Sequence, residues 1–192
     1  MTGRTHDLAA FTTLTCFLAT QPLIKMSLAT LVAAVAANMI GGLAPDIDQP
    51  TGKLWRKIPA GTLIGKIFHP FLGTHRSASH SLLGIFLFGF IASKILSYIH
   101  TFLLTDMTVV WWSLMFGVGS HLIADTFTKE GVLWLFPIPI RFGIPPIKAL
   151  RITTGKLIET SFVFPGLLLL NAYMIYANYG KFIDFLRRYI TY

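Results

Sequence analysis

Apolar runs alternate with short polar and basic stretches along this chain. The runs fall at about 7–21, 26–45, 80–104, 108–127 and 160–179. A helix needs about 20 apolar residues to cross a bilayer. The pattern therefore predicts an all-α fold: a polytopic membrane bundle with about four to five embedded helices. The first run is marginal in length and is expected to tilt or to sit partly outside the bilayer. Thr5 is placed to cap it. No internal repeat or low-complexity segment breaks the chain, so residues 1–192 read as a single domain.

Composition sharpens this picture. The chain is 54% hydrophobic and only 12% charged, against about 25% charged in soluble globular chains. An ordinary soluble domain is excluded. The net charge of +8 comes from 16 Lys and Arg, but these flank the apolar runs instead of forming one dense patch. That placement is an orientation signal for a membrane protein and disfavours nucleic acid as a partner. A single cysteine, Cys16, leaves no intramolecular disulfide and no Cys-rich zinc site. Arg4 before an apolar run resembles a signal peptide, but His6 and Asp7 stand at its head and Gln21-Pro22 is a poor cleavage site, so the segment reads as a retained helix.

The long connections carry the charge. Residues 46–79 hold Lys53, Arg56, Lys57, Lys66 and Arg76, and residues 128–158 hold Lys129, Arg141, Lys148, Arg151 and Lys156. Positive-inside bias puts both in the cytoplasm, in a bacterial or archaeal inner membrane. The tail conflicts with this. "GKFIDFLRRYITY" carries Lys181, Arg187 and Arg188, so either it forms an amphipathic interfacial helix or the fifth run does not fully cross. The connections "LWRKIPAGTLIGKIFHPFLG" and "VLWLFPIPIRFGIPPIKAL" mix aromatics, aliphatics, prolines and cations, as the headgroup region favours. Prolines 137, 139, 145 and 146 forbid a continuous helix, so a short strand pair or a rigid extended lip is expected.

Polar residues then gather at one end of the runs. His6 opens the first, Asp46 and Asp48 close the second, His75, Arg76 and His80 open the third, His121 and Asp125 close the fourth, and Glu159 opens the fifth. The other ends offer His100 and Asp106. His121 and Asp125 are four residues apart, hence on one helical face, inside an apolar run where ionisable groups are costly. Imidazole with carboxylate suits zinc, manganese or iron, and this many ligands exceeds what one zinc takes. On an extended turn after Pro45, Asp46 and Asp48 would face the same way, so that one could bridge two ions. Taken singly, each residue has a plainer reading: "DID" as a helix stop, His75-Arg76 as a headgroup contact, His80 as a cap, Glu159 as a surface partner of Lys156 or Arg151, and His121 with Asp125 as a hydrogen-bonded pair. Together they favour a metal site. His69 and His100 read as interfacial or structural.

The stretches "GGLAPDIDQP", "HRSASHSLLG" and "GVGSHLIADTFTKEGVLWLFP" resemble the signatures of the YdjM-like, LexA-regulated inner-membrane proteins, a family described as membrane-bound metal-dependent hydrolases and regarded as remotely similar to zinc-dependent phospholipase C and the single-strand-specific zinc nucleases. The resemblance implies an all-helical site with two or three zinc ions. It implies that His121 and Asp125 form the family's His-x-x-x-Asp pair. An Asp of 46 and 48 would bridge and handle the attacking water, and Glu159 would be a ligand. Position 155 is Gly where those enzymes carry His, which leaves His75 or His80 to fill the place.

The expected activity is hydrolysis of a phosphoester, such as a phospholipid or lipid-linked phosphate, at the cytoplasmic face. Its metal ligands are drawn from His6, Asp46, Asp48, His75, His80, His121, Asp125 and Glu159. Asp46 or Asp48 would act on the water and Arg76 would clamp phosphate. Zinc is the expected ion, with manganese as an alternative. Two other classes use the same ligands without chemistry: a divalent-metal transporter or sensor, and a structural membrane protein whose helix ends are stapled by metal. A nuclease is a weaker variant.

Overall fold

The computed structural model describes residues 1–192 except 24–25, 51, 57–58, 60, 64, 67–77 and 191–192. Among the described residues six long helices follow one another: α1 (Gly3–Thr20), α2 (Leu28–Leu43), α3 (Leu82–Ile99), α4 (Met107–Thr126), α5 (Phe164–Ala177) and α6 (Tyr179–Ile190). Their starts follow from local chemistry. Ser27 and Ser81 cap α2 and α3, their hydroxyls accepting from the backbone N–H three residues on. Asp106 caps α4, its carboxylate accepting from the N–H groups of Thr108 and Val109. α5 begins with Pro165 in its first turn, preceded by a π-turn, Glu159–Val163. Proline cannot donate to the carbonyl four residues back, and the wider turn relieves that defect.

Among the described residues, four helical segments are long and apolar enough to cross a membrane: Leu28–Asp48, Leu82–Ile99, Met107–Thr126 and Glu159–Ala177. α1 is not among them. It is the inner helix of the bundle, with Ala10, Leu14 and Leu18 buried, and it packs against α2, α4 and α5. Its polar residues are satisfied by neighbours: Asn171 of α5 donates to Thr12 Oγ1 and accepts from Thr15 Oγ1. α4 is the axis, touching α1, α2 and α3. Helices α2 and α4 approach most closely where side chains vanish. A Cβ on Gly117 would sit 2.3 Å from the Asn38 carbonyl oxygen, and one on Gly41 would sit 2.1 Å from that of Leu114. Small residues let membrane helices meet backbone to backbone.

Helices α1 to α5 alternate in direction, so the start of α1, the end of α2, the start of α3, the end of α4 and the start of α5 share one end of the bundle. At the opposite end lies a core of Leu14, Leu18, Leu23, Met26, Val109 and Phe185. Phe185 belongs to α6, so the tail folds back as an amphipathic helix whose apolar side seals that core. Lys181 Nζ donates to the Ala19 carbonyl and Tyr189 Oη to that of Met26. Of the two expectations for the tail, the structure has the amphipathic helix: α6 lies against the far end of the bundle.

At the near end, residues 128–158 form an extended lip instead of a strand pair. Isolated bridges join Thr128 to Ile152 and Val132 to Phe142, and no strand forms among the described residues. Ile144 N–H donates to the Thr126 carbonyl and Trp134 Nε1 to the Thr126 hydroxyl, which tie the lip to the end of α4. Ile138, Ile140, Ile147 and Leu150 stay exposed on it.

Candidate metal centre

The close α2–α4 crossing sets the first ligand. It brings the carbonyl of Gly42, in the last turn of α2, to 2.7 Å from His121 Nδ1. A carbonyl only accepts, so Nδ1 carries the proton and the lone pair of Nε2 points inward. That nitrogen is buried and makes no hydrogen bond to any described residue. An apolar bundle does not leave a buried acceptor in this state without cost, and orientation of imidazole through its other nitrogen is how ligating histidines are held.

His80 is oriented by a second relay. It closes a 3₁₀ turn, Ala78–His80, just before α3. The Ser79 hydroxyl donates to Asp48 Oδ2 at 2.7 Å and lies 3.0 Å from His80 Nδ1. Its proton is committed to Asp48, so Ser79 accepts from Nδ1–H. His80 Nε2 then faces Asp46 Oδ1 at 3.9 Å and Asp125 Oδ2 at 3.8 Å.

Asp125 lies one turn beyond His121. Its Oδ2 is 3.7 Å from His121 Nε2, and its Oδ1 is 3.2 Å from His6 Nε2. The Met1 amino group donates to the same Oδ1. The His6 ring stacks on that of His121, with centroids 3.8 Å apart and planes at 7°. Asp46 Oδ1 completes the cluster, 3.6 Å from His121 Nε2. Two overlapping groups result, His6 with His121 and Asp125, and Asp46 with His80 and His121; within each, the ligand atoms lie within 4.8 Å of one another. The side chains of His80, His121 and Asp125 are at most 1% exposed, whereas Asp46 is 22% exposed. The cluster therefore opens to its surroundings at Asp46.

The chain belongs to the YdjM inner membrane protein family. That family's model matches residues 1–182. The uncharacterized protein YvsG of Bacillus subtilis is 32% identical over 179 residues, covering 92% of this chain and 95% of its own length. No solved structure matches.

In this YdjM-family chain, five of the residues expected from the sequence come together: His6, Asp46, His80, His121 and Asp125. Asp48 does not face the way Asp46 does. The segment Ala44–Asp48 is a 3₁₀ helix, not an extended turn. With three residues per turn, positions two apart diverge. Asp48 turns to Ser79, fully buried, and supports His80. Glu159 stands outside both groups. Its Oε1 accepts from Thr2 N and the hydroxyls of Thr2 and Thr5, and its Oε2 from Gly155 N. It is fully buried, not a surface partner of Lys156 or Arg151. Thr5 is thereby engaged from within the first turn of α1, and the cap position falls to Thr2. Gly155, at φ +72°, presents its N–H to Glu159. His75 and Arg76 lie outside the described residues. Sequence reasoning missed Ser79, Thr2 and the Gly42 carbonyl; the first two read as ordinary turn formers and the third has no side chain to notice.

Proposed function

We propose that this protein is a membrane-bound metal-dependent hydrolase acting on a phosphoester, with the cluster as a two-ion centre. The observation that carries the reading is the pair of oxygens on Asp125: Oδ1 looks toward His6, and Oδ2 toward His80 and His121. His80, His121, Asp46 and Asp125 would hold one ion with two nitrogens and two oxygens. His6 and the other oxygen of Asp125, which the Met1 amino group now meets, would hold the neighbouring one. Mixed imidazole and carboxylate ligands suit zinc, with manganese as the alternative. Ions held there would lower the pKa of bound water to about 7 and polarise a phosphoryl group.

The chain's own residues do the rest. Asp46, the most exposed of the cluster, is placed to receive a proton from the attacking water. Ser79 and Asp48 keep His80 in one tautomer. Arg76 is the proposed phosphate clamp, since a guanidinium offers paired donors. The exposed apolar lip and the flanking spans favour a substrate embedded in the membrane, a phospholipid or lipid-linked phosphate. Basic residues in both long connections support a cytoplasmic site.

The test is metal content of the detergent-purified protein by mass spectrometry, beside a His121→Ala/Asp125→Ala variant, followed by phosphate and headgroup release from a phospholipid panel. Two equivalents lost in the variant, with release from at least one lipid, support the reading. A folded wild type that takes up no metal sinks it. Metal retained without release from any lipid favours a sensor, a transporter or a structural staple.

A further inference from the structure

An apolar furrow runs along the bundle beside the centre. Helices α2 and α3 both pack on α4, and between them lies a gap of about 470 Å³. Its α2 wall is made of Ala33, Ala36, Ala37 and Ile40, its α3 wall of Phe88, Ile91 and Ile95, and its floor of Val110 and Leu114 on α4. The gap follows from sequence. The alanines of α2 are too short to reach the bulky residues of α3, so the walls stay apart. From Ala33 to Ala44 the α2 wall runs about 16 Å at 1.5 Å per residue.

The furrow's two ends differ. One reaches Ala44, two residues before Asp46. The other reaches Leu103, Thr105 and Met107 at the far end of the bundle. Among the lining residues only Thr105 carries a polar side chain, and its hydroxyl is engaged by Met107 Sδ at 3.5 Å. Nothing along the floor can bind a headgroup. A gap left empty forfeits dispersion contacts on both walls, and in hydrocarbon such packing is what holds groups together. The Ala44 mouth, two residues from the partly exposed Asp46, is the end at which an occupant's polar group would meet the cluster.

We propose that this furrow holds one hydrocarbon chain of the lipid substrate, whose phosphoester then lies at the Asp46 mouth of the metal centre. This rests on the hydrolase reading for the headgroup, but the chain-binding furrow is testable by itself. The full-length protein is placed in vesicles of phosphatidylethanolamine and phosphatidylglycerol that contain phosphatidylglycerol with a diazirine midway along one acyl chain. After irradiation, labelled residues are mapped by peptide mass spectrometry. Label concentrates on the Ala33–Ile40 stretch and on Phe88–Ile95, above that on Leu169, Tyr173 and Tyr176 of α5, although these are 65% to 81% exposed. Ala36→Trp, at an exposed position that lets the indole enter the gap, lowers furrow labelling about tenfold, equivalent to about 1.4 kcal/mol, and leaves α5 labelling unchanged. The milder Ala36→Leu gives a smaller loss in the same direction.

Labelling that simply follows exposure overturns the proposal, as does labelling unchanged in Ala36→Trp. An unlabelled furrow also overturns it and assigns the face to another occupant, such as a second copy of the chain. Metal content is read on the same samples. Furrow labelling in a metal-free protein refutes the hydrolase and upholds the furrow as a chain site, whereas metal without furrow labelling overturns the furrow and leaves the metal centre standing.

Discussion

The imidazole of His6, in the first turn of α1, lies flat on that of His121, near the end of α4. The stack sets the two rings beside the two oxygens of one carboxylate: His6 Nε2 faces Oδ1 of Asp125 and His121 Nε2 faces Oδ2. His121 is common to both groups, and Asp125 turns one oxygen toward each of them.

That sharing makes stoichiometry diagnostic. Asp125→Asn should weaken both positions, while His6→Ala should remove one ion and leave the position served by Asp46, His80, His121 and Asp125 Oδ2. Metal analysis of the folded variants separates the cases. Equal stoichiometry in Asp125→Asn and wild type would contradict a shared carboxylate.

Ser79 touches no proposed ion, yet its hydroxyl holds the His80 ring at Nδ1 while donating to Asp48. Ser79→Ala should weaken metal affinity about 10- to 100-fold, as loss of such supporting partners does. Ser79→Thr, which keeps the hydroxyl, should restore most of it. Competition with a chromophoric chelator reads both.

The α2–α4 crossing tolerates no side chain at Gly117, where a Cβ would meet the backbone of Asn38 and Gly42. Gly117→Ala should cost about 1–3 kcal/mol through overpacking. It should also reduce metal uptake, because it moves the Gly42 carbonyl away from His121. Gly119 has nothing within 4 Å of its Cβ position, so Gly119→Ala should leave metal binding intact and stabilise α4 by about 0.5–1 kcal/mol. Thermal unfolding in detergent distinguishes the two.

Glu159→Gln replaces an acceptor-only group with an amide whose NH₂ must face a donor. The variant should lose about 1–3 kcal/mol of stability and keep its full metal complement at saturating metal. A lost equivalent under those conditions would instead make Glu159 a ligand.

Chelation supplies a check without mutation. Metal at about 100 times its dissociation constant should stabilise the protein by about 2.7 kcal/mol. EDTA should lower the melting temperature of the wild type and barely move that of His121→Ala/Asp125→Ala.

Hydropathy alone located the spanning segments, because each is an apolar run of bilayer length. It read α1 as marginal, and α1 is not among the helices long and apolar enough to cross; what it did not show is where Thr5, His6, Thr12 and Thr15 point. Those side chains face protein, and hydropathy does not report what a residue faces. The His121 and Asp125 pair was legible because helical spacing fixes its direction. Asp46 and Asp48 were found, but their division of labour was not, since a 3₁₀ turn and an extended turn look alike in "APDID". Glu159 was noticed as a charged residue at a segment start. Its partners on Thr2 and Thr5 depend on α1 and α5 meeting, which no local pattern encodes.

The cluster takes His6 from the first helix and Asp125 from the fourth. Synthesis delivers these pieces far apart in time. The site is therefore incomplete until the fourth helix packs beside the first. An ion held by both would report that the two have met, so metal uptake during translation would serve as a clock for that step of assembly.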